Sequence, residues 1–448
     1  MPKTCSKTLW TLALLLASLA APAREAPAAK LLIDINAAQV RRVKLVAPYF
    51  NYPADCIVCG EIAKEAAGVV EWNLEFSTFF DVQRVDMAEY ANILGGASGG
   101  QYDYPGLARL GVDGVLLGSV RPAGRAYEVK LTLQRVDDPS RKTEFAYTLT
   151  REQVRHVAHD FSNAVYKEFT GLEGIFGSRI AYVSDQTGAK EIYIAELDGT
   201  NTRQITANGT INLFPAWSPD GAKIAYTSYR RRDPDLFIYD LATGRERLLS
   251  GAPGLDIAPS WSPDGRTIAF SRNSGGDSDI YLADASTGAT RRLTNTVGID
   301  VNPRWSPNGR MLVFVSDRGG SPQVYVMDAG GGSARRLTFE GVYNTSPIWS
   351  PRGDLIAYVG QVGGSFDLFT MTPEGAGLRR LTERARDNES PTFSPDGRWI
   401  AFSSTRDRRS QLYVTSADGG LVRTLLTGRG NLTDAAWSPV RRLTKGGE

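Results

Sequence analysis

Three short motifs in the first 160 residues contain residue types that could do chemistry. Cys56 and Cys59 have the C-x-x-C spacing of a redox dithiol or of half a zinc site. His156 and His159 are three residues apart, so a helix would place both imidazoles on one face, as in a metal site. Ser98 lies in a G-x-S-x-G pattern, which is the nucleophile motif of many serine hydrolases. Each motif has to be weighed against the elements that would position it.

The surroundings of these motifs argue against each chemistry. A hydrolase nucleophile needs a buried strand before the motif and a helix after it, whereas polar, glycine-rich sequence continues past Ser98. The two histidines lack an acidic third ligand, so solvated or capping histidines are favoured. The cysteines have neither further zinc ligands nearby nor the aromatic strand of a thioredoxin-like protein before them. In an oxidising compartment they form a small disulfide or stay as two thiols. We therefore expect no catalytic residue, metal or cofactor.

The first 23 residues have the organisation of a secretory signal peptide. Lys3 and Lys7 form a basic start, an apolar run covers 9–20, and Ala21 and Ala23 are small residues at −3 and −1 of a cleavage site. The apolar run is shorter than the roughly 20 residues that span a bilayer. We expect cleavage near Ala23 and a soluble, extracytoplasmic mature chain.

The composition of the 448-residue chain favours a globular protein with more β than α structure. Hydrophobic residues make up 42% and charged residues 22%, which excludes a disordered or collagen-like chain. The 46 glycines, 23 prolines and 18 tyrosines favour many turns between half-buried strands. The net charge is only +2, so there is no basic excess to bind nucleic acid.

A repeat with a constant period organises the second half of the chain. Its most visible part is Trp-Ser-Pro-Asp-Gly or a close variant, and successive copies are 44 residues apart. The copies begin at Trp217, Trp261, Trp305, Trp349, Phe393 and, in shortened form, Trp437. Each period also contains an Asx-Gly turn, two apolar strands and a short Arg-rich strand. Together with the strand that carries Trp-Ser-Pro, these predict four antiparallel strands. Periods of about 40–45 residues that contain strands are typical of propeller blades.

The register of the repeat predicts a closed ring. The strand after the Asx-Gly turn occurs six times, first at Ile180, and the Trp-Ser-Pro strand also occurs six times, last at Trp437. We expect the unpaired strand at each end to complete the other, so that no sheet edge stays open. The repeated tryptophans are expected to pack between blades.

A different texture before residue 172 predicts a small α/β domain. Strands are expected at 31–34, 43–46, 112–120 and 127–136, and helices at 60–70 and 151–169. The predicted fold class is therefore mainly β: a six-bladed β-propeller, circularly closed, preceded by a small α/β domain. The expected divisions are a signal peptide at 1–23, the α/β domain at 24–172, the propeller at 173–440 and a tail at 441–448.

Three segments and this domain order resemble the TolB family, the periplasmic component of the Tol–Pal envelope system. The segments are LIDI at 32–35, LGVDGVLLG at 110–118, and VYKEFTG at 165–171 leading into the strand at 178–183. The resemblance implies a non-enzymatic, monomeric adaptor that maintains the outer membrane and its constriction during division. It implies that the propeller binds Pal, the peptidoglycan-associated lipoprotein. Cys56, Cys59 and the tail depart from the family pattern.

The resemblance also implies that an N-terminal strand, at 30–37, binds the inner-membrane protein TolA. Strand addition would suit such a segment, because main-chain pairing supplies much of the affinity. An ordinary edge strand is the alternative role. The residues concerned are Leu31, Leu32, Ile33, Asp34 and Ile35.

One acidic or amide residue recurs three positions before the proline, or its equivalent, of each innermost strand. These residues are Asn212, Asp256, Asp300, Asn344 and Asn388. By blade order they surround one mouth of the central tunnel, and each either caps its own turn or also contacts Pal. Contact with Pal predicts that Asp256→Ala combined with Asp300→Ala weakens binding without lowering thermal stability. Equal loss of binding and stability favours capping.

Two functions from other classes stay open. One is the propeller of a periplasmic peptide or glycan hydrolase, which would need a catalytic set that the sequence does not show. The other is a propeller that binds a small sugar or cation, and it predicts that the ligand alone raises the melting temperature.

Overall fold

A computed structural model describes residues 41–48, 50–85, 102–383 and 385–440. The signal peptide, the strand at 31–35, Ser98 and the tail at 441–448 lie outside the described residues. Within them, one mixed sheet with helices precedes six four-stranded antiparallel sheets. The predicted fold class is therefore confirmed.

The N-terminal domain is a five-stranded sheet with helices packed on it. The strands are β1 (Val43–Pro48), β2 (Phe80–Val85), β3 (Gly114–Ala123), β4 (Ala126–Arg135) and β5 (Lys142–Leu149), in the spatial order β2-β1-β3-β4-β5. The helices are α1 (Ile57–Phe76), α2 (Tyr104–Arg109) and α3 (Val154–Thr170), with a 3₁₀ turn at Arg151–Gln153 before α3. Strand β1 runs parallel to β2 and β3, whereas β3, β4 and β5 are antiparallel.

The local sequence accounts for most of this domain. Parallel strands need a long crossover connection, and the 20 residues of α1 provide it between β1 and β2. Helix α3 ends at Gly171, whose φ of +74° suits glycine. Strands β2 and β5 were not predicted from the sequence. Polar and apolar residues alternate along much of both segments, which is itself a strand signal, and they pair with β1 and β4.

The six blades are built alike, with strands numbered in chain order. Blade 1 has β6 (Arg179–Ser184), β7 (Glu191–Glu196), β8 (Arg203–Gln204) and, as its innermost strand, β29 (Leu432–Trp437). Blade 2 has β9 (Asn212–Trp217), β10 (Lys223–Ser228), β11 (Asp235–Asp240) and β12 (Glu246–Ser250); blade 3 has β13 (Leu255–Trp261), β14 (Thr267–Asn273), β15 (Ser278–Asp284) and β16 (Thr290–Arg292). Blade 4 has β17 (Asp300–Trp305), β18 (Met311–Ser316), β19 (Gln323–Asp328) and β20 (Arg335–Arg336). Blade 5 has β21 (Asn344–Trp349), β22 (Ile356–Val362), β23 (Ser365–Met371) and β24 (Arg379–Arg380); blade 6 has β25 (Asn388–Phe393), β26 (Trp399–Asp407), β27 (Arg409–Ser416) and β28 (Val422–Leu426).

The ring closes in the predicted way, because the last strand completes the first blade. Strand β29 pairs with β6, with Trp437 opposite Ile180. The ring nitrogen of Trp437 also donates to the hydroxyl of Ser178 over 2.9 Å. The two ends of the propeller sequence therefore share one sheet, and β6 has no open inner edge.

The repeated tryptophans join neighbouring blades. The Nε1 of Trp261 donates over 3.1 Å to the carbonyl oxygen of Ala216, which lies in the innermost strand of the preceding blade. Trp217 and Trp305 make the equivalent bond. The Nε1 of Trp349 has no partner among the described residues. The prediction that these rings pack between blades is confirmed.

Strand direction gives the propeller two distinct faces. Five innermost strands run from their Asx residue towards their aromatic residue, β29 runs the same way from Leu432 to Trp437, and the next strand of each blade runs back. We call the side with the loops that enter the innermost strands, and with the hairpins between second and third strands, the Asx face. The opposite side, with the Ser-Pro-Asp-Gly turns and the hairpins between third and fourth strands, is the Trp face.

The N-terminal domain packs on the Trp face, at blades 1 and 6. The rings of Phe76 and Trp399 lie 5.7 Å apart, and the guanidinium of Arg423 lies 4.1 Å from the centre of the Phe76 ring. On the side of blade 1, Arg155 of α3 pairs with Glu196 at 2.5 Å. One continuous hydrophobic core contains residues of both domains. These contacts leave the Asx face uncovered by the rest of the described chain.

Candidate functional site

The five residues predicted at the tunnel mouth do lie together on the Asx face, but their side chains are buried. Each is only 0–3% exposed. They are Asn212, Asp256, Asp300, Asn344 and Asn388, at the first or second position of an innermost strand. Their burial leaves no side-chain surface for a docked protein in this structure. The burial favours the capping role, and contact of these residues with a partner stays a prediction, as does binding by the face itself.

The two aspartates are held by arginines of their own blades. The carboxylate of Asp256 accepts from Nε and Nη2 of Arg272, at 2.7 and 2.8 Å, and from the hydroxyl of Ser250 at 2.7 Å. Asp300 accepts from Nη2 of Arg318 at 2.8 and 2.9 Å. Buried carboxylates need such charge-assisted bonds, since an unpaired one is costly in free energy. These pairs hold the loops that enter blades 3 and 4.

The three asparagines contact the preceding blade instead. Each side-chain amide donates to an oxygen on the third strand of that blade, which a carboxylate at the same position could not do. The pairs are Asn212 with Glu191 at 2.9 Å, Asn344 with Gln323 at 2.8 Å, and Asn388 with Asp367 at 3.1 Å. The amides therefore join neighbouring blades. The arginine pairs of the two aspartates lie within one blade, although Asp256 also accepts from Ser250 of blade 2.

The Asx face also carries exposed apolar side chains that the sequence analysis did not select. Val297, Phe339 and Val342 are 87%, 74% and 71% exposed. Six more large apolar residues are exposed on the same face: Ile211, Tyr229, Leu255, Ile299, Tyr343 and Val362. These nine residues form what we call the apolar rim. Several exposed apolar side chains on one face are typical of protein interaction sites.

A sequence signal for part of the rim existed. Ile211, Leu255, Ile299 and Tyr343 each come directly before one of the five Asx residues, so they are 44 residues apart. The sequence alone does not tell which member of such a pair, the apolar residue or the polar one after it, faces solvent. The structure shows that the polar residue is buried and the apolar one is exposed.

The two histidines lie at the domain junction. His159 is 7% exposed, with Nδ1 at 2.9 Å from Nδ2 of Asn73 and Nε2 at 3.2 Å from a carboxylate oxygen of Glu196. The expectation of solvated or capping histidines is wrong for His159, because α3 docks against blade 1. Burial acts to raise the pKa of Glu196, but hydrogen bonds from His159 and Arg155 lower it well below its usual range. The described residues contain no group of three His, Cys, Asp or Glu that could hold a metal ion.

The two cysteines form a disulfide. Of the alternatives left open by the sequence, the small disulfide is the one observed. Among the described residues, no helix is long and apolar enough to cross a membrane.

Comparison with known proteins agrees with the architecture. Residues 166–441 match a family model described as the TolB beta propeller domain. The Tol-Pal system protein TolB of Geobacter metallireducens is 39% identical over 161 residues, which cover 36% of this chain and 37% of that relative. The TolB of Aromatoleum aromaticum is 34% identical over 46% of each chain. The matched segments thus span less than half the length of these relatives.

A solved structure covers far more of the molecule. The crystal structure of TolB from Acinetobacter baumannii matches 89% of this chain and 97% of its own, with a TM-score of 0.77 and 31% sequence identity. A nidogen/laminin complex matches with a TM-score of 0.51 and 11% identity, which reflects the fold alone. By the family model and by this near-complete structural match, the chain belongs to the TolB family.

Proposed function

We propose that the chain is a non-enzymatic adaptor of a Tol–Pal system in the periplasm. Relatives named Tol-Pal system protein TolB support the system and the compartment. The observation that carries the proposal is the apolar rim, because it is exposed on the face that the N-terminal domain leaves free. In this role the protein helps to maintain the outer membrane and its constriction during division.

Pal is the proposed partner of the Asx face. The residues of the apolar rim would form the apolar part of the interface. Charged side chains such as Arg231 and Arg318 lie on neighbouring loops and would form its polar edge, as in other protein interfaces. The buried bonds of Asp256, Asp300 and the three asparagines restrain the rim loops before binding. Such restraint lowers the entropic cost of association. We therefore assign those five residues to loop positioning and the rim to contact.

TolA is the proposed partner of the N-terminal strand at 31–35. That segment lies outside the described residues, so the proposal rests on its apolar sequence and on the family resemblance. Strand addition is the proposed mode. Deletion of 30–37 is expected to abolish binding of the periplasmic domain of TolA while leaving the melting temperature of the propeller unchanged. Retained binding would contradict the assignment.

A calorimetric titration with the periplasmic domain of its own Pal tests the face. We expect saturable one-to-one binding that Phe339→Asp and Val342→Asp each weaken by about tenfold or more, as for contacts near an interface centre. Leu378→Asp is the matched control, since Leu378 is 46% exposed on the Trp face. All three variants should melt like the parent protein.

Two results would reject parts of this proposal. Absence of binding by a folded sample would remove Pal as a partner. Equal weakening by Leu378→Asp would show that Pal binds but that the Asx face is not where it docks.

A further inference from the structure

The disulfide lies at the start of a long helix, which is a position with chemical consequences. Cys56 is the N-cap of the 20-residue helix α1, and Cys59 lies in its first turn. The main-chain N–H of Cys59 donates to Sγ of Cys56 over 3.2 Å. The first turn contains no acidic residue. A thiolate at Cys56 would therefore be stabilised by the free N–H groups and the positive end of the helix.

The two cysteines differ in exposure. Cys59 is 0% exposed and belongs to the hydrophobic core of the N-terminal domain, whereas Cys56 is partly exposed and packs against that core. Of the two residues, Cys56 is therefore the one that an incoming thiolate can approach. One partly exposed and one buried cysteine is the asymmetry that suits an exchange reaction with a resolving cysteine.

Exposed apolar residues lie near Cys56 in the chain. Tyr52, Ile57 and Val58 are 50%, 79% and 38% exposed, and all three lie within four residues of Cys56. These residues are in the N-terminal domain and are separate from the apolar rim of the propeller. Exposed apolar side chains next to the disulfide suit a protein segment rather than a small polar thiol.

A purely structural role explains the disulfide poorly. The bond closes a ring of only four residues, and the loop-closure entropy that a disulfide removes is smaller for short loops than for long ones. Those residues are already ordered by the helix and by the Tyr52 ring, which lies against Gly60.

We propose that Cys56 and Cys59 form a thiol–disulfide exchange site for dithiols of other proteins. In the disulfide form, a thiolate of the partner attacks Sγ of Cys56. The Cys56–Cys59 bond breaks, and Cys59 leaves as a thiolate that takes up a proton. The second partner thiol loses its proton and attacks the partner sulfur of the mixed disulfide, which forms the partner's disulfide and releases Cys56 as a thiolate. Two electrons pass from the partner to the pair, and the reverse sequence reduces a partner disulfide.

The first test compares two single-cysteine variants with oxidised glutathione as the probe. Cys59→Ser keeps the partly exposed cysteine and should form the glutathione mixed disulfide at least about tenfold faster than Cys56→Ser, as measured by mass spectrometry. When the pH is lowered from 8 to 6, the rate at which Cys59→Ser forms the mixed disulfide should fall by less than about tenfold, because the start of the helix stabilises its thiolate. An ordinary cysteine with a pKa of about 8.5 would lose roughly 80-fold of its thiolate over that range.

The second test uses the unaltered protein and so does not depend on how the variants fold. It should accelerate the reduction of insulin by dithiothreitol, and both cysteine variants should lose that acceleration. Ile57→Asn, which adds no charge beside Cys56, should slow the insulin reaction but leave the glutathione reaction of the Cys59→Ser variant unchanged. Equal glutathione rates for the two variants, or insulin reduction no faster than with dithiothreitol alone, would overturn the proposal. Neither result bears on Pal binding.

Discussion

Replacing Arg272 with alanine should destabilise blade 3 through the carboxylate that it leaves behind. Asp256 is 0% exposed and accepts three hydrogen bonds, two of which come from Arg272. The variant keeps only the bond from Ser250. Breaking a buried ion pair by removing one partner typically costs about 3–5 kcal/mol, because the remaining charge is neither solvated nor paired. We therefore expect a loss of that size in the free energy of unfolding.

Blade 4 supplies a matched control. Arg318 binds Asp300 with similar distances, but its side chain is 24% exposed, against 8% for Arg272. Water can reach the Asp300 carboxylate once Arg318 is removed, so Arg318→Ala should cost only about 1–2 kcal/mol. The double variant Asp256→Ala with Arg272→Ala should be more stable than Arg272→Ala alone, since no buried charge is left unpaired.

Urea unfolding followed by tryptophan fluorescence measures these differences. The reasoning would be refuted if Arg272→Ala cost less than about 1 kcal/mol, or no more than Arg318→Ala. The same burial revises the expectation for Asp256→Ala combined with Asp300→Ala. That variant should lose stability, and any loss of Pal binding would follow from disordered loops.

Three further predictions concern single positions. Trp261→Ala should lower the free energy of unfolding by about 3–5 kcal/mol. Trp261→Phe should cost about 1 kcal/mol more than Trp349→Phe, because of these two rings only that of Trp261 has a hydrogen-bond partner for its nitrogen among the described residues. Equal melting temperatures of the two Phe variants would contradict this. Burial acts to raise the pKa of Glu196, but the hydrogen bonds to its carboxylate lower that pKa overall. The stabilisation that Glu196 contributes to the folded state is therefore present above about pH 4.5 and is lost as the pH falls. Between pH 6 and pH 3, the free energy of unfolding measured with urea should fall more for the parent protein than for Glu196→Gln. An equal fall in both proteins would contradict this prediction. Gly254→Ala should have a lower melting temperature than Gly276→Ala. Both glycines have positive φ, but only a Cβ at Gly254 would meet a carbonyl oxygen, that of Asn273 at 2.1 Å. Equal melting temperatures would contradict the clash.

The burial of the Asx residues shows where sequence reasoning about the site stopped. Alternation along an innermost strand normally tells which side chains share a face. Here a bulge lies two residues after each Asx residue, and the residue at that position has a φ between +50° and +57°. Ala258 and Asn302 are two of these residues, and the register of pairing shifts beside each. Such a bulge reorients the side chains before it, so alternation along the strand does not tell on which side an Asx residue lies.

The sequence by itself determined the propeller, its six blades and the strand that closes the ring. Those features repeat every 44 residues and depend on turns and strands that neighbouring residues specify. Only the tertiary structure decided that α3 docks on blade 1 and buries His159, that the Asx face stays free, and that Cys59 is buried while Cys56 is partly exposed. These outcomes depend on contacts between residues that are far apart in the chain, such as Asn73 with His159 across 86 positions. No local pattern encodes such contacts, because the surface each residue meets exists only after both domains have folded.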